Sequence, residues 1–229
     1  MMQMKRFGLS MLVLTVMLWS GASANTILFT NDATTPLGTV GSLTVTSVAP
    51  GQTVTVTFNN IPSATSAGQF NIMSSISNIT EVFCVDLENF ISLNQPYNNK
   101  YQIYAANGRV GALLLLKNSF FSAAINLADL NNRAAAFQIA LWEIAYDHAA
   151  SNPDDLDDGI FKYNGNTTIV TYANSLLSTT VGQTASYFYL RGAYGSDPSQ
   201  DLVSLVPEPT SLLALTVGVV GLFHRRRLR

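Results

Sequence analysis

The chain has a single cysteine, Cys84, so no disulfide can form within it. Charged residues make up only 11% of the sequence, and the net charge is −2. No internal repeat and no long low-complexity linker divides it, so neither a repeat array nor a string of tethered domains is expected. Basic residues are scarce between the ends. Setting aside Lys5, Arg6, the four arginines at 225, 226, 227 and 229, and Glu208 leaves six basic and thirteen acidic residues over 25–206, a net −7. That balance argues against nucleic acid as a partner. The segment is long enough for one well-cored domain or two small ones.

The termini have their own chemistry. Lys5 and Arg6 precede an apolar run over residues 9–19, and Ala22, Ser23 and Ala24 supply small residues in an A-x-A pattern. This reads as a signal peptide over 1–24, cleaved after Ala24. An uncleaved anchor fits less well, because the run is short for a span. At the other end, Pro207, Glu208 and Pro209 break regular structure, an apolar helix follows over 211–223, and Arg225, Arg226, Arg227 and Arg229 close the chain. The arginines favour the cytoplasmic side.

Residues 206–229 resemble the PEP-CTERM sorting signal. The resemblance implies an exported protein whose C-terminal helix sits in the inner membrane until an exosortase cleaves near the Pro-Glu-Pro. It also implies a Gram-negative cell envelope, cell surface or extracellular matrix, and a link to exopolysaccharide and biofilm. An ice-binding label sometimes given to proteins with this tail says nothing of the domain being sorted.

An exported lone thiol must be buried, bonded or used. The mature domain, 25–205, reads as α+β: a β-sandwich-like scaffold with a helical insertion. Strands are expected over 43–48 and 53–58, joined by a turn at Pro50-Gly51, and over 69–73 and 81–87. Helices are expected over 109–117, 119–128 and 132–149, the last capped by Asn131 or Asn132. A strand at 160–163, a helix at 168–177 and strands at 186–191 and 201–206 complete the order.

The helix over 132–149 is apolar on every face in its first half, except for Gln138. An unpaired buried amide costs about 1–3 kcal/mol, so Gln138 must be satisfied or consumed. Phe137-Gln138-Ile139-Ala140-Leu141-Trp142 resembles the apolar-Gln-x-Ala-apolar-Trp motif of bacterial thioester domains from surface adhesins, and Phe83-Cys84 resembles their aromatic-Cys motif. The resemblance implies an internal thioester between Cys84 and Gln138, shielded by Phe83 and Trp142. It implies single-turnover capture of an amine or hydroxyl on an exopolysaccharide or surface protein, with no cofactor and no catalytic turnover. The alternative is a non-catalytic structural matrix protein in which Cys84 is an inert core residue.

Other motifs carry less. His148 is the one histidine between the termini, and no protease signature accompanies a Cys84–His148 pair. The acidic stretch Asp154, Asp155, Asp157 and Asp158 fails the EF-hand pattern, with Leu156 at its third position and Gly165 at its twelfth. An irregular calcium loop or a solvated loop remains. The Thr53-Val54-Thr55-Val56-Thr57 stretch is one strand, not the array an ice-binding face needs.

Overall fold

The structure, a computed structural model of the chain, describes residues 36–76, 78–147, 154–192 and 199–206. The expected signal peptide, the sorting tail from Pro207 onward, and His148 lie outside these residues.

Alternating Val and Thr make β1 (Gly38–Phe58) a strand of 21 residues. Pro50-Gly51 does not end it, contrary to expectation. The two residues form part of a register shift between Val48 and Gly51 where β1 pairs with β2 (Ile61–Ser74). The backbones crowd there: a Cβ on Gly68 would sit 2.4 Å from the Pro50 carbonyl oxygen, so only glycine fits. The hairpin turn is Asn59-Asn60, with φ of 50° and 63°. Positive φ at both central residues matches the right-handed twist of the flanking strands.

The strand β1 serves two neighbours. Its first part pairs with β4 (Pro96–Gly108), and most of its length pairs with β2. Next to β2 lie β3 (Glu81–Cys84), then β7 (Leu202–Leu205) and β6 (Ala185–Arg191), which pairs back to β4. The antiparallel ladder therefore closes into a ring of six strands. The short β5 (Phe161–Lys162) adds to the end of β1. In place of the expected β-sandwich-like scaffold, the described residues form a single seven-stranded sheet whose ladder returns on itself, and closure removes most free edges.

Sequence periodicity missed β4. The polar triplet Asn98, Asn99 and Lys100 interrupts its alternation, next to a register shift against β1.

Among the described residues, three helices accompany the sheet. The two helices expected over 109–128 are one, α1 (Arg109–Ser122), and α2 (Leu127–Asp147) starts earlier than expected. Asn126 caps α2, accepting the Asp129 N–H at 2.9 Å. Asn131 and Asn132 tie the helix to the β1 bulge instead. Their side-chain oxygens accept the Gly51 N–H at 3.2 Å and the Gln52 amide at 2.8 Å. Helix α3 (Thr167–Thr180) is capped by Asn166, whose oxygen accepts from Thr168 and Ile169.

The helix α2 packs on β1, β2 and both other helices. Phe137, Ile139, Leu141 and Trp142 have no solvent exposure. Each such side chain contributes on the order of 1.5–3 kcal/mol, so α2 is a main support of the core. Gly111 sets how closely α1 approaches β6, since a Cβ there would meet the Ala185 carbonyl oxygen at 1.9 Å. Gly111→Ala is expected to lose about 1–3 kcal/mol by overpacking, outweighing the roughly 1 kcal/mol gain in helix propensity. Urea denaturation tests this, and unchanged or raised stability would refute the close approach.

Candidate functional site

Cys84 ends β3, where pairing with β2 has already stopped at Val82. Its backbone groups on the open side need partners. Gln138 on α2 provides them. Its Oε1 accepts the Cys84 N–H at 3.3 Å, and its Nε2 donates to the Cys84 carbonyl oxygen at 2.6 Å. The carboxamide thus takes the place a neighbouring strand would hold. Both residues are fully buried. The two residues singled out from sequence meet across the helix–sheet interface.

The Cys84 S–H donates to the Asp86 carbonyl oxygen at 2.9 Å, and the Asp86 N–H donates to the sulfur at 3.3 Å. Burial pushes the thiol far above its usual range, and the Asp86 charge adds to this. The Asp86 backbone and the Trp142 indole act the other way, and Asp201 raises it further. A resident thiol is therefore protonated and shielded from oxidants. The Trp142 N–H faces the sulfur without completing a hydrogen bond.

Trp142 packs its ring on Phe161, with centroids 5.9 Å apart. Phe83 points its ring to Phe137 at 4.7 Å and Phe121 at 6.4 Å. Together they make apolar surroundings for the Cys84–Gln138 contact.

Most polar groups nearby are committed, the Gln200 side-chain oxygen and the Trp142 N–H excepted. Asp86 is fully buried, and its carboxylate accepts from the N–H groups of Glu88 and Asn89 and from the Asn89 amide. Asp201 accepts from Tyr189 and from the Gly192 N–H. Gln200 donates its amide to the Asp86 carbonyl oxygen at 2.8 Å. The Tyr146 hydroxyl accepts the Leu87 N–H at 2.7 Å. Sequence reasoning passed over Gln200, Asp201 and Tyr146. No local pattern marks them, because each reaches the site across the fold.

Glu143 does not face Gln138. Burial raises its carboxyl to about 8, helped by Asp147 and Asp154. The Asp154 N–H approaches it without completing a hydrogen bond, so both carboxyl oxygens lack partners.

The acidic stretch is occupied by its own chain. Asp154 pairs with Arg109 at 2.6 Å, Asp155 accepts the Asp157 N–H, and Asp158 accepts the Gly159 N–H. Among the described residues, no three acidic, histidine or cysteine groups stand close enough to hold a metal ion. No helix among them is long and apolar enough to cross a membrane.

Against known proteins, residues 205–227 match the PEP-CTERM protein-sorting motif. No curated protein and no solved structure matches the chain. The sorting motif supports an exported surface protein, processed by an exosortase and held transiently in the membrane. The thioester-domain resemblance finds no support in these comparisons.

Proposed function

We propose that the mature domain forms an internal thioester between Cys84 and Gln138 and uses it once, to attach the protein covalently to its surroundings. The observation that carries this is the double hydrogen bond between the Gln138 carboxamide and the Cys84 backbone in a fully buried site. It holds the Gln138 carboxamide against the Cys84 backbone. It also directs the Cys84 N–H at the carboxamide oxygen, where negative charge develops when sulfur attacks.

The formation step balances without a cofactor. The Cys84 sulfur attacks Gln138 Cδ, the C–S bond forms, and the C–N bond breaks. The thiol proton leaves with the amide nitrogen as ammonia, so no free thiolate has to persist. Apolar walls from Trp142, Phe83 and Phe137 keep water from the acyl group. In the capture step a free amine or a hydroxyl attacks Cδ. The new C–N or C–O bond forms, the C–S bond breaks, and the nucleophile's proton passes to sulfur. Each molecule reacts once.

An exosortase-sorted protein of this kind would be fixed to a matrix polysaccharide or a neighbouring surface protein, in keeping with a biofilm role. Its natural setting would be a Gram-negative surface or matrix.

A second reading has its own observation. The two hydrogen bonds already satisfy Gln138, which makes it sufficient as a structural latch beside an inert Cys84. Intact mass of the mature protein separates the two. The thioester reading expects a deficit of one ammonia, abolished by Cys84→Ala and by Gln138→Ala. Methylamine should convert the deficit into an adduct on Gln138. Full sequence mass with an unmodified thiol and an intact Gln138 amide, checked by peptide mapping, would leave only the latch.

A further inference from the structure

Past the ring of strands, the β1–β2 hairpin runs on beyond β3, because β2 pairs with β3 only at Phe70 and Asn71. Period two puts Ile61, Ser63 and Thr65 on one face of β2. Their cross-strand neighbours Phe58 and Val56 share that face, opposite Ile61 and Ser63. This face and the segment 87–90 are the two banks of a groove of about 520 Å³. The second bank is tied down. The Tyr146 hydroxyl accepts the Leu87 N–H, and the Asp86 carboxylate accepts those of Glu88 and Asn89.

The groove has two kinds of surface. Phe90 is 76% exposed and Ile61 67% exposed, while Phe58 is half-buried against Tyr146, with ring centroids 4.6 Å apart. Large apolar side chains clustered in solvent mark a binding surface. Polar side chains stand among them. Those of Asn59, Ser63, Thr65 and Glu88 line the groove and make no hydrogen bond to the described residues. The amide donates and accepts, each hydroxyl does both, and the carboxylate accepts.

This mixture selects among ligand classes. A wholly apolar ligand would strip water from the polar groups without replacing their hydrogen bonds. A peptide added as a strand would use an edge, residue after residue. The groove instead uses alternate residues of β2, which belong to its face. An acidic ligand would meet Glu88, whose carboxyl is already held above its usual range by burial and by Asp86. A neutral sugar ring matches both surfaces. Its C–H face is apolar and slightly positive, suited to the negative face of an aromatic ring. Its hydroxyls each donate and accept, as the mixed polar set requires.

We infer that this groove binds a neutral saccharide chain, with the C–H face of one ring on Phe90 and its hydroxyls shared among Asn59, Ser63, Thr65 and Glu88. The site stands apart from the Cys84–Gln138 contact and needs no thioester. It gives the domain reversible recognition, separate from any covalent attachment.

The test uses mature protein carrying Cys84→Ala, which cannot form a thioester, so binding is read separately from bond formation. The probes are neutral hexasaccharides of glucose, galactose, mannose and N-acetylglucosamine. A hexagalacturonate and a soluble Ser-Gly-repeat peptide are the controls, and 1H–15N spectra give the readout. Saturable shifts are expected at residues 58–65 and 87–90 with at least one neutral sugar and with neither control. Phe90→Ala, at an exposed position, should weaken that binding roughly three- to tenfold, the worth of one aromatic contact, and Phe90→Tyr should restore it. Saturation by none of the neutral sugars, shifts confined to another surface, an unchanged affinity in Phe90→Ala, or equal binding of the peptide would overturn the assignment. The mass of the unsubstituted protein reports on the thioester itself. Sugar binding with full mass would keep the groove and sink the bond, and a mass deficit without sugar binding would do the reverse.

Discussion

Gln138→Leu is expected to destabilise the mature domain by about 2–4 kcal/mol relative to parent protein in which the Gln138 amide is unreacted, whereas Cys84→Ala should cost about 1 kcal/mol on the same reference. The two substitutions remove the two halves of the same contact, but the halves are unequal. Leucine fills most of the glutamine volume yet offers no hydrogen bond. It strands the Cys84 N–H and carbonyl oxygen, which Gln138 serves at 3.3 and 2.6 Å in a site without solvent. Alanine at position 84 leaves both backbone bonds intact and removes only a weak S–H donor. Gln138→Glu adds a pH handle. A protonated carboxyl can make both bonds, while a buried carboxylate cannot donate, so this variant should lose stability as pH rises. Urea denaturation gives the order. If Gln138→Leu lies within about 0.5 kcal/mol of the parent protein, the carboxamide is not supporting the end of β3. Stability and chemistry are thereby separable: the variants differ in cost, but both should abolish the ammonia deficit.

The second large effect concerns Glu143, which has burial without partners. Its carboxyl is raised to about 8, chiefly by burial, then by Asp147 and Asp154. In the unfolded chain a glutamate ionises near 4.3. Between those values the folded protein holds a proton that the unfolded chain has lost. Stability therefore falls as pH rises through this window, by up to about 1.4 kcal/mol per pH unit for this group. The contribution is fully present below the unfolded value and gone above about 8. Glu143→Gln keeps the shape and removes the titration. Its stability relative to the parent should therefore climb steadily from pH 5 to pH 8 in denaturation midpoints. Parallel curves for the two proteins would show that Glu143 is ionised, or solvated, in the folded state.

Local chemistry made several elements legible. Alternating Val and Thr gave β1 its strand character, and the Gln138 helix was visible in its run of alanines and large apolar residues. The same rules failed where long-range packing intervened. Pro50-Gly51 looks like a hairpin turn, but Gly68 approaches it so closely that the chain bulges and continues. The actual turn uses two asparagines that tolerate positive φ. Asn131 and Asn132 look like helix caps, but the β1 bulge takes their side chains. The alternation of β4 is masked by the polar triplet at 98–100.

The site divides in the same way. Gln138 was conspicuous because an amide in an apolar helix demands a partner, and Cys84 because an exported thiol does. Gln200 and Tyr146 gave no such signal, since a glutamine or tyrosine in a mixed segment is ordinary until the fold buries it.

The sequence alone determined the matched sorting motif, because Pro-Glu-Pro, apolar run and arginines act through local composition and order. It also determined that Gln138 and Cys84 each needed an explanation, because the cost of a buried amide and the oxidation of a free thiol are properties of the groups themselves. Only the tertiary structure decided that they explain each other. The ring of strands brings the end of β3 under α2 just where β2 has stopped pairing, and that coincidence of two unfinished backbone groups with one side-chain amide exists in space, not along the chain.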